Sequence, residues 1–486
     1  MSRSKLNMGP ARGMRDFLPA AVRRREYVIN IVRRVYESYG FEPLETPAVE
    51  NIETLLGKYG EEGNQLIFKI LKRGEHEASG QADLALRYDL TVPLARVVAE
   101  HSAELPRLFR RYQIQPVWRA DRPARGRFRE FYQCDVDALG STSPAIEAEL
   151  CGAVSEVLTA LGFADFHIRL NHRQLLSAIL RRVGVRPENE ASTLVVLDKL
   201  DKIGQDGVVK ELLEKGLLDS MEQQDALLES KGVRHFLSWL MGSATREGIA
   251  EWLSGDAAGL AALANLSEIM ALAEATPAKG RVTLDRTLAR GLSYYTGAIM
   301  EIAVPDLAGS LGGGGRYDGL VGMFSGEQVP ACGFSLGLER ILVLMGERGL
   351  FPPEVVAPQV HLMVCVPRLG DSEPEVRLRA MQYAAGFAAE ARSQAEANVF
   401  LYPDVDKLDK QIKYAATCGI RMLAICGPDE IGMKQVSLKT LNLGGDKNVG
   451  GEKTDFGAAG SAAPGGRLPW EQALKVIGES VRSGRG

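Results

Sequence analysis

A chain of 486 residues that is 45% hydrophobic and 25% charged carries enough apolar mass for two or three domains with full cores, which excludes disorder as its main state. Its longest apolar stretches, "ILVLM" at Ile341 to Met345 and "VHLMVCV" at Val360 to Val366, fall far short of the roughly 20 residues that span a bilayer, so no membrane partner is expected. A net charge of −4 neither announces nor excludes a nucleic acid, because local basic patches make the phosphate contacts.

The basic start "MSRSKLNMGPARGMRDFLP" lacks the apolar centre of a signal peptide, and the expected compartment is cytoplasmic. A helix is predicted next, where Ile29, Val32, Val35, Tyr36 and Tyr39 recur at helical spacing and Gly40 closes the run. The extended segment with Pro43 and Pro47 suits a sheet edge or an interface. Strand-like runs follow at "LIFKIL" and "LALRYDLTVPLARVVAE", with Asp89 and Thr91 expected on one strand face. In "RRYQIQPVWRADRPARGRFREFYQCDVDALG" two β-rich segments flank a polar loop, the pattern of a long antiparallel hairpin.

From about His172 to Ala278 the texture turns to Leu, Ala, Lys and Glu with helical repeats, which predicts a helical insertion. Strand patterns return at "VTLDRTLARGLSYYTGAIMEIAV" and run through "SLGGGGRYDGLVG" to "ACGFSLGLERILVLMGERG", where a buried strand turns into an amphipathic helix. Beyond the linker "PPEVVAPQ", alternating strands and helices predict a small α/β domain with a mostly parallel core. The low-complexity "GGDKNVGGEKTDFGAAGSAAPGGR" is expected to be a disordered loop, and "PWEQALKVIGESV" a final helix.

The six cysteines form no C-x-x-C pair and most sit in apolar surroundings, so reduced, buried thiols are expected. The six histidines show no metal-ligand spacing, and no zinc site is expected.

Five segments could carry chemistry. "WRADRPARGRFREF" places Arg119, Arg122, Arg125, Arg127 and Arg129 between two strands, either as a solvated hairpin tip or as an anion site of planar guanidinium forks; alternation would put Arg127 and Arg129 on one face. In "QCDVD", Gln133, Asp135 and Asp137 alternate and share a strand face, which is either the solvent side or a polar site. "RTLARGLSYYTG" sets Arg290 near Tyr294 and Tyr295, and "LALRYDLT" carries Asp89 and Thr91. "GFSLGLER" ends a strand at Gly337 and brings Arg340 into the first turn of a helix.

Taken together and in this order, these segments resemble the class II aminoacyl-tRNA synthetases, and within them the histidyl-tRNA synthetase family. The helix and strand ending at Pro47 look like motif 1, the dimer element; "FRRYQIQPVWRADRPARGRFREF" looks like motif 2 and "CGFSLGLERI" like motif 3. "LARGLSYYTG" and "GGGGRYDGL" look like the two segments that mark the histidine enzymes, and "LRYDLTVPLAR" is in the style of their eukaryotic branch. Ser293 departs from the family, which usually has Asp there.

The resemblance implies an α/β (α+β) fold, an antiparallel sheet flanked by helices. Residues 1–171 and 279–352 would form the catalytic domain, 172–278 a helical insertion and 358–486 an anticodon-binding domain. It implies activation of L-histidine by ATP and transfer of the histidyl group to tRNA(His) by a homodimer, with Mg2+ accompanying ATP. Arg290 and Arg119 would be catalytic. Asp89, Leu90, Thr91, Arg119, Gln133, Asp137, Arg290, Tyr294 and Tyr295 would bind histidine; Arg119, Arg127, Glu130 and Arg340 would bind ATP. The glycine run is expected to be a strand inside the catalytic sheet, with Gly313 and Gly315 forming the pocket wall where side chains would occupy the substrate's space. Competing expectations are a regulatory paralogue that keeps the fold, a synthetase-like module that binds uncharged tRNA, and a class II synthetase for another amino acid.

Overall fold

The computed structural model describes residues 8–74, 79–217, 237, 239–242, 245–289, 294–307, 309–368, 373–441 and 466–483. They form two compact units, Met1–Phe351 and Pro352–Gly486. No described helix is long and apolar enough to cross a membrane.

The strands of the first unit are β1 (Glu42–Pro43), β2 (Val49–Asn51), β3 (Lys69–Leu71), β4 (Ala82–Leu86), β5 (Phe109–Trp118), β6 (Glu130–Leu139), β7 (His167–His172), β8 (Val282–Leu284), β9 (Ala298–Ala303), β10 (Gly312–Arg316) and β11 (Ala331–Gly337). Eight of them make one sheet in the order β1-β5-β6-β11-β10-β9-β7-β8, and β2-β4-β3 make a small separate sheet. In the large sheet only the outermost pairs, β1 with β5 and β7 with β8, are parallel. The long hairpin of β5 and β6 pairs from Phe109 opposite Leu139 to Trp118 opposite Glu130.

Helices Pro19–Ser38 and Ala145–Ala160 pack against the sheet and each other. The helical spacing of Val28, Ile29, Val32, Val35 and Tyr36 turns all five into one buried stripe. Gly40 adopts φ 74° just beyond the helix end, a left-handed value that glycine takes without strain. Within 172–278, helices Arg173–Arg182 and Ala257–Ala273 pack on one another, and the latter also packs on Ala145–Ala160 and β7. This helical region therefore shares one apolar core with the sheet.

Asp89 and Thr91 do not share a strand face. Strand β4 stops at Leu86, Asp89 lies in the connection, and Thr91 opens the helix Thr91–Glu100. The reason is local: the Asp89 carboxylate accepts the Val92 N–H at 3.0 Å, satisfying a donor that the first helical turn leaves unpaired.

The glycine run is strand β10, paired with β9 on one side and β11 on the other. A Cβ on Gly314 would lie 1.9 Å from the Gly333 carbonyl oxygen, and one on Gly312 would lie 2.4 Å from that of Ser335. The backbones approach more closely than any side chain allows. Arg316 ends the strand as an anchor: its guanidinium grips buried Glu147 with two bonds, of 2.6 and 2.9 Å, and donates to the Ser141 carbonyl at 2.9 Å.

In the second unit, β12 (Leu362–Cys365), β13 (Val399–Leu401), β14 (Met422–Ile425), β15 (Gln435–Thr440) and β16 (Gly466–Pro469) form a sheet ordered β13-β12-β14-β15-β16. The first three strands are parallel and the last two antiparallel. The C-terminal helix Trp470–Arg482 is pinned by Trp470, which packs edge-on against Phe387 and donates to the Tyr383 hydroxyl at 2.7 Å. Gly466 and Arg467, expected in the low-complexity loop, belong to β16; residues 442–465 lie outside the described residues. Five cysteines are buried as expected, but Cys418 is exposed, at the end of helix Leu408–Thr417.

Because Arg316 is 9% and Glu147 1% exposed, removing one partner strands a buried charge. Glu147→Ala is expected to destabilise the first unit by about 3–5 kcal/mol in denaturant unfolding; a loss below about 1 kcal/mol, the size of a surface pair, would contradict this anchoring.

Candidate active site

A cavity of about 970 Å³ opens over β6, β10 and β11 and the loops at their ends. Its polar wall begins on β6. Gln133, Asp135 and Asp137 share one face, as their alternation predicts, and this face is buried rather than solvent-facing. Opposite them on β11 stand Gly337, Ser335 and Gly333. A Cβ on Gly333 would sit 1.8 Å from Asp137 Oδ1, so glycine is what leaves room for that carboxylate. Ser335 accepts from Gln133 Nε2 at 2.8 Å, and the same nitrogen donates to Asp135 at 3.3 Å.

Asp137 is held from two sides. The Tyr317 hydroxyl donates to its Oδ1, and Arg111 Nη2 lies 2.7 Å from its Oδ2. Burial raises the Asp137 carboxyl above its usual range while Arg111 pulls it back down. Asp135 behaves alike, pushed up to about 7 by burial and by Asp137, against the pull of Arg111.

Asp89 closes another corner. It accepts from the Tyr59 hydroxyl at 3.0 Å and the Tyr294 hydroxyl at 3.4 Å, besides the Val92 N–H. Its carboxyl is raised, chiefly by burial. Thr91 bonds Tyr294 from the helix start. Leu90 between them is fully buried, and its carbonyl accepts from Arg111 at 3.2 Å. The Tyr294 and Tyr295 rings lie 5.0 Å apart and both line the cavity. A Cβ on Gly315 would come 2.9 Å from the Tyr295 ring, so this glycine admits the tyrosine, whereas Gly313 itself lines the cavity.

The arginines occupy the other side. Arg119 donates to the Tyr88 carbonyl at 2.9 Å and to Gln133 Oε1 at 3.3 Å, with its guanidinium over the Tyr88 ring. Arg127 pairs with Asp121 at 2.7 Å, and Arg340 donates to the Ser310 carbonyl. The turn that carries Arg127 packs against Arg340: a Cβ on Gly126 would touch the Arg340 stem at 3.0 Å. Arg127 and Arg129 do not alternate on one strand face, because β5 ends at Trp118 and β6 starts at Glu130. Between them Ala124 and Arg127 pair across a turn; Arg127 lines the cavity, while Arg129 donates to the Asp121 carbonyl and packs against Gly13.

Glu130 opens β6 opposite Trp118, and the carboxylate that lines the cavity nearby is Glu339. Glu339 accepts the Tyr132 N–H at 3.0 Å, and burial pushes it up to about 7. Arg290, expected to be catalytic, and Ser293 lie outside the described residues.

Sequence reasoning gave no site role to Arg111, Tyr59, Ser335 or Glu339, read Tyr317 only as the packed continuation of the glycine strand, and named Asp135 without a role. One signal was available. In "RRYQIQ", Arg111, Gln113 and Gln115 alternate just as "QCDVD" does, and the hairpin register sets them opposite Asp137, Asp135 and Gln133. Two polar alternations that pair face to face mark a buried polar layer.

Among the described residues, then, one cavity gathers arginines for anions and a polar wall for a small polar ligand. A family model described as histidyl-tRNA synthetase matches residues 13–341, which include every cavity residue named above. A histidine–tRNA ligase of Gloeobacter violaceus is 41% identical over 455 residues, covering 89% of this chain and 94% of its own length. One of Christiangramia forsetii is 40% identical over 460 residues, covering 90% and 96%. Among solved structures, the histidyl-tRNA synthetase from Nostoc sp. superposes with a TM-score of 0.68 at 30% identity, over 90% of this chain and 95% of that one. An ATP phosphoribosyltransferase regulatory subunit/histidyl-tRNA synthetase from Bacillus halodurans has a TM-score of 0.66 at 22% identity over 88% of this chain and all of that one, a likeness of fold alone. By the span of these matches and the cavity they enclose, the chain belongs to the histidyl-tRNA synthetase family.

Proposed function

We propose that the protein is a histidine–tRNA ligase, which joins L-histidine to ATP as histidyl-adenylate with release of pyrophosphate and then passes the histidyl group to the 3′ end of tRNA(His). The observation that carries this reading is the single cavity in which Arg119 bonds Gln133, the residue that begins the polar wall of Asp135 and Asp137. Such a cavity can take an amino acid on one side and a nucleotide phosphate on the other.

The reaction brings two anions together, since the histidine carboxylate attacks the α-phosphorus of ATP. Arg119, already oriented by Tyr88 and Gln133, is proposed to bridge that carboxylate and the α-phosphate. Arg127 and Arg340 hold the outer phosphates, with Glu130 at the nucleotide end, and Arg290 stabilises charge on the five-coordinate phosphorus. Cations fixed in place before the reaction lower the barrier without reorganising during it.

Asp89, Thr91 and Gln133 receive the α-ammonium, with Leu90 packed behind them. Asp137 and Tyr295 satisfy the two imidazole nitrogens, Tyr294 lines the same pocket, Gly313 forms its floor, and Gly315 shapes its wall by making room for Tyr295. A pocket of buried polar partners rejects amino acids that lack the matching groups by a factor of roughly 10⁴ or more, because its own groups would be left unpaired. Magnesium is proposed to arrive on the nucleotide, held mainly by the pyrophosphate oxygens; among the described residues no three His, Cys, Asp or Glu side chains converge into a cage for it. The protein acts as a cytoplasmic homodimer, pairing through the segment that ends at Pro47, and its second unit reads the anticodon.

The test is histidine-dependent exchange of labelled pyrophosphate into ATP. Exchange with histidine alone among the amino acids is expected; none, or equal exchange with others, would overturn the reading. Arg290→His should nearly abolish exchange while the dimer persists, and retained activity would remove Arg290 from its role. Gly333→Ala drives a methyl group into Asp137 and should raise the KM for histidine about 10- to 150-fold, from the roughly 1.5–3 kcal/mol of one hydrogen bond to a charged group. An unchanged histidine KM in that variant would move imidazole recognition away from Asp137.

A further inference from the structure

Arg111 is completely buried on β5, directly across the hairpin from Asp137, and lies behind the cavity rather than in its lining. Isolated, such a charge would be costly, and its contacts show what it is paired to. Its Nη2 lies 2.7 Å from Asp137 Oδ2 and donates to the Leu90 carbonyl at 3.2 Å, while Nη1 donates to Gln113 Oε1 at 3.1 Å. Leu90 lies between Asp89 and Thr91. One guanidinium therefore ties together the two ends of the amino-acid pocket, the segment assigned to the α-ammonium and the carboxylate assigned to the imidazole.

Asp137 is held at both oxygens: the Tyr317 hydroxyl donates to Oδ1, while Oδ2, shut off from solvent, faces Arg111 at 2.7 Å. Arg111 thus supplies the counter-charge and Tyr317 fixes the orientation. Asp137 still lines the cavity, and a carboxylate has about four acceptor positions, of which these contacts fill only part.

We propose that Arg111 is a positioning residue for histidine recognition: it keeps Asp137 ionised and aimed into the pocket, and fixes its distance from the Asp89–Thr91 segment so that imidazole and α-ammonium are bound together. This rests on the cavity being the histidine site. The charged and titratable groups that face Asp137 are Arg111, Asp135, Asp89, Tyr317, Cys332 and, from the helix Pro19–Ser38, Tyr36. Of these, Arg111 is the cation, Asp89 raises the carboxyl and Tyr317 holds it by a hydrogen bond, while the Cys332 thiol and the Tyr36 hydroxyl are themselves raised by it. Without Arg111 the carboxyls of Asp137 and Asp135 rise, and a proton occupies the acceptor at a pH where the native pocket is ionised.

The experiment is pyrophosphate exchange over a range of pH with the full chain and its variants Arg111→Met and Arg111→Lys. In Arg111→Met the KM for histidine should rise tenfold or more while the KM for ATP stays within about twofold, tenfold being the effect of some 1.4 kcal/mol. The acidic limb of kcat/KM for histidine should move up by about 1–3 pH units, the range an adjacent opposite charge commands. Arg111→Lys keeps the charge but lacks the fork that reaches Leu90 and Asp137 together, so it should restore the limb and leave the histidine KM raised. A folded Arg111→Met with unchanged histidine KM and limb would overturn the proposal. If that variant does not fold, an unaltered histidine KM in Arg111→Lys does so instead. Absence of histidine-dependent exchange in the unsubstituted protein would sink the ligase reading itself, whereas normal exchange with unresponsive variants would sink the role of Arg111 alone.

Discussion

Three carboxylates are buried in one pocket, and most of the site follows from keeping them there. Asp89, Asp135 and Asp137 are each about 2% exposed, which would drive all three to take up protons if nothing opposed it. Opposition comes from Arg111 within the sheet's buried polar layer, Arg119 at the pocket's edge, and the hydroxyls of Tyr59, Tyr294 and Tyr317. The β5–β6 hairpin makes this possible, because its register sets Arg111 opposite Asp137. A shift of one residue would send the whole polar row to the other face, among the helices of the apolar core.

The glycines serve the same end. Gly333 vacates the space into which the Asp137 carboxylate projects, and Gly315 vacates that of the Tyr295 ring. Gly312 and Gly314 let β10 lie closer to β11 than any side chain would permit. A run that suggests flexibility is a strand paired on both sides, closed at its far end by the buried Arg316–Glu147 pair. Rigidity of this kind suits the amino-acid selection proposed for this pocket, since selection by unpaired buried groups works only if those groups cannot move to compensate.

Much of the fold could be read from the chain because its signals are local. Helical spacing placed Pro19–Ser38, two β-rich runs flanking a polar loop placed the hairpin, alternation placed the shared face of Gln133, Asp135 and Asp137, and an apolar run ending at Gly337 ahead of a helical pattern placed the strand-to-helix turn. Errors arose where a short-range contact outweighed a pattern. Asp89 and Thr91 looked like strand residues until the Asp89 carboxylate was seen to hold the Val92 N–H at a helix start. Arg127 and Arg129 looked like strand neighbours until the turn between Ala124 and Arg127 separated them.

The sequence by itself determined which residue types would meet: carboxylates and an amide alternating on one strand, arginines on the adjoining loop, glycines where backbone approaches closely. It could do so because alternation and turn chemistry act over a few residues. Only the tertiary structure decided which partner each charge received. Arg111 and Asp137 are 26 positions apart, Tyr317 and Asp137 180 apart, and Glu147 and Arg316 169 apart. Strand order and register, which emerge only when the whole sheet assembles around its apolar core, bring them together, and so turned an alternating polar row into a pocket whose charges are balanced from behind.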